Sequence, residues 1–154
     1  SSPAARVDRR TPVPAQDPGS LGVLVIDDNR DAAQSLGDLL TLAGHRVEVA
    51  YDGPSGVAMA RQLRPDVVFC DIGLPDGMDG YAVARTLRAD PTLGHVHLVA
   101  LTGFGQDEDR RRAREAGFER HLVKPAEYDA ITGALAEVAR DRAPLHEASG
   151  ERRC

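Results

Sequence analysis

Val67-Val68-Phe69-Cys70-Asp71 decides the fold: four apolar residues closed by a carboxylate, with no polar alternation. Short unbroken apolar runs suit strands buried on both faces of a parallel sheet. Working outward, the same pattern recurs. Val23-Leu24-Val25-Ile26 leads into Asp27-Asp28, Leu98-Val99-Ala100-Leu101 into Thr102, and Leu122-Val123 into Lys124-Pro125. Val47-Glu48-Val49 supplies a shorter fifth run. In open parallel sheets, ligands bind beyond the carboxyl ends of the strands, at the topological switch point. Asp27, Asp28, Asp71, Thr102 and Lys124 are therefore expected to meet in space.

The segments between the runs read as helices. Ala32, Leu36, Leu39, Leu40 and Ala43 share one face, with Gly44 as the stop. Val57, Ala60 and Leu63 mark a second helix ending before Pro65, and Val83, Ala84 and Leu87 a third. Residues 107–116 form a charged fourth helix with Ala113 and Ala116 inward and Gly117 as its stop. Ile131, Leu135 and Val138 stripe the last. Five strand-then-helix units imply an α/β fold: a doubly wound five-stranded parallel sheet with helices on both faces. Right-handed crossovers and the flavodoxin-like strand order 2-1-3-4-5 are expected.

A chain of 154 residues fits one domain plus tails. Residues 1–20 carry four prolines and read as a Pro-rich linker, 21–141 as the domain, and 142–154 as a polar tail that should fray. Trp is absent and aromatics are 4%, so the core is aliphatic. The net charge of −5 gives no reason to expect direct nucleic-acid binding. No apolar run approaches membrane-spanning length, so no membrane contact is expected of this domain. Cys70 and Cys154 make no disulfide framework, which fits a reducing, cytoplasmic setting.

Asp27 and Asp28 could simply end a strand and cap the next helix. A third carboxylate, Asp71, on a neighbouring strand changes that reading. Three gathered acids repel unless a cation sits among them, and Mg²⁺ is a hard ion suited to a few carboxylates and several waters. A carboxylate can also act as a nucleophile toward phosphorus and form an aspartyl phosphate. Such a transfer needs in-line positioning and neutralised phosphoryl oxygens. Lys124 offers a point charge and Thr102 a hydroxyl donor.

With these residues assembled, the chain resembles a response-regulator receiver domain of two-component signalling, from about Leu21 to Arg140. The resemblance is carried by Val-Leu-Val-Ile-Asp27-Asp28-Asn29, Asp71-Ile-Gly-Leu-Pro75, Met78-Asp79-Gly80-Tyr81, Ala100-Leu-Thr102-Gly103 and Leu122-Val-Lys124-Pro125. It implies that Asp71 is the phospho-acceptor. It implies that Asp28, Asp71 and the Gly73 backbone carbonyl ligate Mg²⁺, with Asp27 holding the ion largely through water. Thr102 and Lys124 would contact the phosphoryl group, and Lys124-Pro125 would be cis. The expected partner is a histidine kinase or a histidine phosphotransfer domain, and a homodimer stays open. An isolated module of this kind catalyses its own phosphorylation and dephosphorylation rather than turning over a separate substrate.

Three features depart from, or refine, that pattern. The loop Pro75-Asp76-Gly77-Met78 is one residue longer than usual. His121 stands where the family usually places an aromatic switch residue that moves with Thr102. Gly73 and Phe104, two residues after the acceptor and the Thr, offer nothing to orient a hydrolytic water, so a long-lived phospho-form is expected. The segments around Thr102 and Lys124 are most similar to C-terminal receiver domains of hybrid sensor histidine kinases. The Pro-rich lead and the start at Ser1 fit a module excised from such a protein. Three alternatives stand beside this: a free-standing single-domain regulator, an aspartate-nucleophile phosphatase, and a degenerate receiver that only binds. Phosphatases of that kind generally need a second acid at the Gly73 position. Arg110-Arg111-Arg112 and Arg114 read either as a solvated face balanced by Asp107, Glu108 and Asp109 or as a partner surface.

Overall fold

The computed structural model describes residues 20–75, 77–103 and 107–151. Residues 1–19 of the N-terminal linker, Asp76 of the lengthened loop, Phe104 and Cys154 lie outside the described residues. Five strands and five helices alternate: β1 (Gly22–Ile26), α1 (Arg30–Leu42), β2 (Arg46–Ala50), α2 (Gly53–Leu63), β3 (Val67–Asp71), α3 (Gly80–Ala89), β4 (His97–Thr102), α4 (Asp107–Ala116), β5 (Arg120–Val123) and α5 (Tyr128–Glu151). A 3₁₀ turn, Pro91–Leu93, precedes β4. The strands form one sheet in the order β2-β1-β3-β4-β5, as expected. Every pairing is parallel, with Val23 opposite both Val47 and Val67, Val67 opposite His97, and Val99 opposite Arg120.

The unbroken apolar runs are explained by burial on two sides. Leu24, Ile26, Val68, Cys70, Leu98 and Ala100 face one core, packed under α2, α3 and α4. Val23, Val25, Val67, Phe69, Val99 and Leu101 face the other, under α1 and α5. All five residues of β3 are buried because β3 is central.

The helix faces differ from expectation in detail. In α1 the buried residues are Ala33, Gly37 and Leu40, while Ala43 is exposed. In α2, Gly53, Gly56, Val57 and Ala60 are buried and Leu63 is exposed. Glycines form part of both inward faces, which shifts each face away from the one suggested by the larger apolar residues. Helix α5 continues to Glu151, into the segment 142–154 read as a polar tail. Its anchoring stripe is Ile131, Ala134, Leu135 and Val138.

Candidate phospho-acceptor site

All five expected residues sit at the carboxyl edge of the sheet. Asp71 and Thr102 are the last residues of β3 and β4, Asp27 follows β1, and Lys124 follows β5. The sheet is parallel with β1 and β3 adjacent, so residues 44 positions apart become neighbours. One ligand oxygen from each of Asp27, Asp28 and Asp71 lies within 4.8 Å of the others. Asp27 is 2% exposed and Asp71 8%, whereas Asp28 is exposed.

Capping does not account for the acidic pair. The N-cap of α1 is Asn29, whose side chain accepts the Ala32 N–H. Asp27 Oδ1 instead accepts the Asn29 N–H at 3.0 Å, and its Oδ2 accepts from Lys124 Nζ at 3.0 Å. Lys124 Nζ also donates to Asp71 Oδ2 at 3.4 Å, and the Gly73 N–H donates to Asp71 Oδ1 at 2.9 Å. Each of the two buried carboxylates thus keeps one oxygen on a backbone donor and the other on the shared ammonium.

Burial raises the Asp71 carboxyl above its ordinary range; the Gly73 N–H and Lys124 oppose that shift, and Asp27 adds to it. Burial opposes the charge on Lys124, but its hydrogen bond to Asp27 and the charges of Asp71 and Asp27 outweigh that and raise its pKa. Lys124 is therefore charged at neutral pH. Cys70, next to the acceptor, is wholly buried; burial and the charges of Asp71, Asp27 and Asp79 push its thiol up, which keeps it inert.

Lys124 is brought in by β5, whose ladder ends with the Lys124 N–H on the Thr102 carbonyl at 2.7 Å, and Lys124-Pro125 is cis, as expected. A residue whose role the motif did not reveal is Gly80, the first of α3. A Cβ there would lie 2.4 Å from Ile72 Cα and 2.5 Å from the Asp71 carbonyl oxygen. Only glycine lets α3 start directly against the backbone that carries Asp71. Asp79 caps the same helix by accepting the Ala82 N–H.

The donor set fits a hard divalent cation: three carboxylates, two of them buried and only partly neutralised by one ammonium. Beside it, a cavity of about 330 Å³ between α1 and α5 is lined by Leu36, Leu39, Pro125 and Ile131, with Asp27 and Lys124 at its rim. His121, on β5, is half-buried; burial and the nearby Arg110 and Arg114 of α4 hold its pKa below the usual histidine range. Within the arginine run, Arg111 pairs with Glu108 and Arg112 stacks over the Tyr81 ring at 4.4 Å. Among the described residues no helix is long and apolar enough to cross a membrane.

The sequence model described as response regulator receiver domain matches residues 23–136. Response regulator PleD of Caulobacter vibrioides is 34% identical over 138 residues, which cover 86% of this chain and 30% of PleD. The transcriptional regulator RpaA of a Synechocystis strain is 32% identical over 79% of this chain and 51% of its own length. Protein PilH of Pseudomonas aeruginosa is 32% identical over 71% of this chain and 89% of its own length. The chain thus spans about a third of PleD and half of RpaA. Among solved structures, the chemotaxis protein CheY4 of Vibrio cholerae superposes with a TM-score of 0.71 at 28% identity, covering 75% of this chain and 96% of CheY4. With the strand order, the acidic cluster and the Lys124 bridge agreeing, the chain belongs to the receiver domains of two-component response regulators.

Proposed function

We propose that Asp71 accepts a phosphoryl group from the phosphohistidine of a histidine kinase or histidine phosphotransfer domain. The observation that carries this is the placement of Asp71. Its carboxylate is one of three gathered acids and shares an ammonium with a second. In the transfer, an Asp71 carboxylate oxygen forms the new O–P bond as the P–N bond breaks, and the donor imidazole keeps the electron pair. The Gly73 N–H holds Asp71 Oδ1 in place, leaving Oδ2, which faces Lys124, as the oxygen for attack. Lys124 then exchanges a carboxylate contact for one to the transferred phosphoryl group, and the Thr102 hydroxyl donates to another of its oxygens. Asp28, Asp71 and the Gly73 carbonyl would hold Mg²⁺, with Asp27 binding it largely through water. The ion supplies charge neutralisation for the phosphoryl oxygens. The apolar cavity at the Asp27–Lys124 rim gives a donor protein a surface beside the acceptor.

We place this domain at the C-terminal end of a longer hybrid kinase, on the similarity of its Thr102 and Lys124 segments. The 89% coverage of PilH supports the free-standing alternative. The length of the full gene product separates the two. The phosphorylation reading is tested with acetyl phosphate and Mg²⁺. An acid-stable but hydroxylamine-labile adduct of one phosphoryl group is expected, lost in Asp71→Asn. Labelling that persists in Asp71→Asn refutes the assignment.

A further inference from the structure

At the opposite end of the sheet from Asp71, four ionisable side chains from α3, β4, α5 and the turn before β5 form a line. Arg88 of α3 pairs with Glu119, just before β5, at 3.8 Å. Glu119 Oε2 lies 2.5 Å from Nδ1 of His97, the first residue of β4. His97 Nε2 lies 3.3 Å from Asp141 Oδ2 of α5. Helices α3 and α5 pack on opposite faces of the sheet, so the line passes beneath its lower edge and joins the two layers. A cavity of about 550 Å³ runs along it, lined by Arg88, His95, His97, Glu119, Val138 and Asp141.

Both ring nitrogens of His97 face carboxylates, which at neutral pH only accept. A neutral imidazole has one donor and can satisfy one of them; the other carboxylate then faces a lone pair. Only the imidazolium donates to both. We propose that His97 is a proton-dependent clasp that fixes the far half of α5 to the floor of the sheet when it is protonated. The position of Asp141 supports this: it follows Val138 by three residues and so extends the anchoring stripe of α5 by one polar step.

The surrounding charges leave the clasp its sign. Arg88 meets Glu119 from the far side and is itself tied by Nη1 to the Val96 carbonyl and by Nε to the Gly117 carbonyl. Asp66, before β3, turns its side chain to the Gly22 N–H and Arg46 while its carbonyl accepts the His97 N–H. His95 lines the same cavity and is exposed. With His97 neutral the line Arg88–Glu119–His97–Asp141 carries one net negative charge, and with His97 protonated it carries none. The contact at Asp141 therefore holds when both ring nitrogens carry a proton and loosens when one is given up. This device is independent of the phospho-acceptor reading, since it lies at the other end of the strands.

The test is backbone hydrogen exchange across α5, residues 138–145, in the full chain at pH 5.5, 6.5 and 7.5, corrected for intrinsic exchange. Protection of this segment relative to residues 128–135 should fall roughly two- to fivefold from the lowest to the highest pH, the range set by one partly exposed ion pair. Asp141→Asn, at an exposed position, should abolish that dependence at all three pH values, and His97→Gln should do the same. Histidine NMR should show both His97 nitrogens protonated at pH 5.5. A flat profile in the wild type, an unchanged profile in Asp141→Asn, or a single protonated nitrogen on His97 at pH 5.5 each overturns the clasp.

Discussion

Replacing Lys124 by Met should expose how much of the stability of this edge hangs on one ammonium. Its Nζ lies 3.0 Å from Asp27 Oδ2 and 3.4 Å from Asp71 Oδ2. At an effective dielectric constant near 20, each contact is an attraction of roughly 5 kcal/mol before desolvation is counted. The Asp27–Asp71 repulsion and the cost of burying three charges cancel most of that. Removing one partner of a fully buried pair costs about 3–5 kcal/mol, because a charge is left behind without compensation. The Lys124 side chain is 26% exposed, so water supplies part of the loss. Lys124→Met is therefore expected to destabilise the metal-free protein by about 2 kcal/mol, a shift of roughly 1 M in the urea midpoint. Asp27→Asn removes the more buried carboxylate and keeps the oxygen that accepts the Asn29 N–H. In that background Lys124→Met should cost about 1 kcal/mol less, and saturating Mg²⁺ should recover part of the single-variant loss. Urea unfolding of the four proteins, with and without Mg²⁺, measures the cycle. Additive effects of the two substitutions would refute the bridge as the source of the stability.

Asp28→Ala should weaken Mg²⁺ binding at least tenfold by titration calorimetry and slow phosphorylation, while metal-free stability stays level or rises because a like charge has gone. Unchanged Mg²⁺ affinity sinks the ligand assignment. At Gly73 the backbone angles suit any residue, and a Cβ would meet only Asp71 Oδ1 at 3.5 Å, so Gly73→Asn fits without strain. Its amide can orient a water, and loss of the phosphoryl group should accelerate roughly fivefold, about 1 kcal/mol of barrier; an unchanged rate means that water positioning is not limiting. His121 has its pKa lowered by burial and by Arg110 and Arg114, so its contribution to stability is present above the unfolded histidine pKa of about 6.5 and is lost as pH falls from there through the lower folded value. His121→Tyr should remove that acid-side loss in thermal melts. It should also favour the inward switch state on beryllofluoride binding, because a phenol ring fills more space than an imidazole; identical NMR shifts along α4 in both proteins would show that output uses another face.

The sheet and the acceptor edge were legible because each rests on a rule that sequence preserves. Strands covered on both faces lose alternation, and a parallel sheet gathers their last residues, so an apolar run and the polar residue that ends it carry both the topology and the site. The helix faces were less legible because close packing there uses the absence of a side chain. A Cβ on Gly56 would lie 2.4 Å from Ile26 Cδ1, and one on Gly37 3.2 Å from Val49 Cγ2. Glycine at such places lets a helix settle onto the sheet, yet in a periodicity count it scores as neither apolar nor inward. Leu63 and Ala43 then draw the expected face toward solvent. The line from Arg88 to Asp141 was illegible for a different reason. Its members are charged, lie at the starts of strands or late in helices, and follow no motif, so only the register Val67–His97 and Val99–Arg120 brings their elements together. The same parallel sheet that collects the acceptor residues at one edge collects His97 and Glu119 at the other. The two histidines that follow from this act with opposite sign: protonation of His97 closes a contact between carboxylates, whereas protonation of His121 adds a charge beside two arginines. A pH profile of the whole domain mixes the two, and Asp141→Asn and His121→Tyr separate them, each leaving the other histidine untouched.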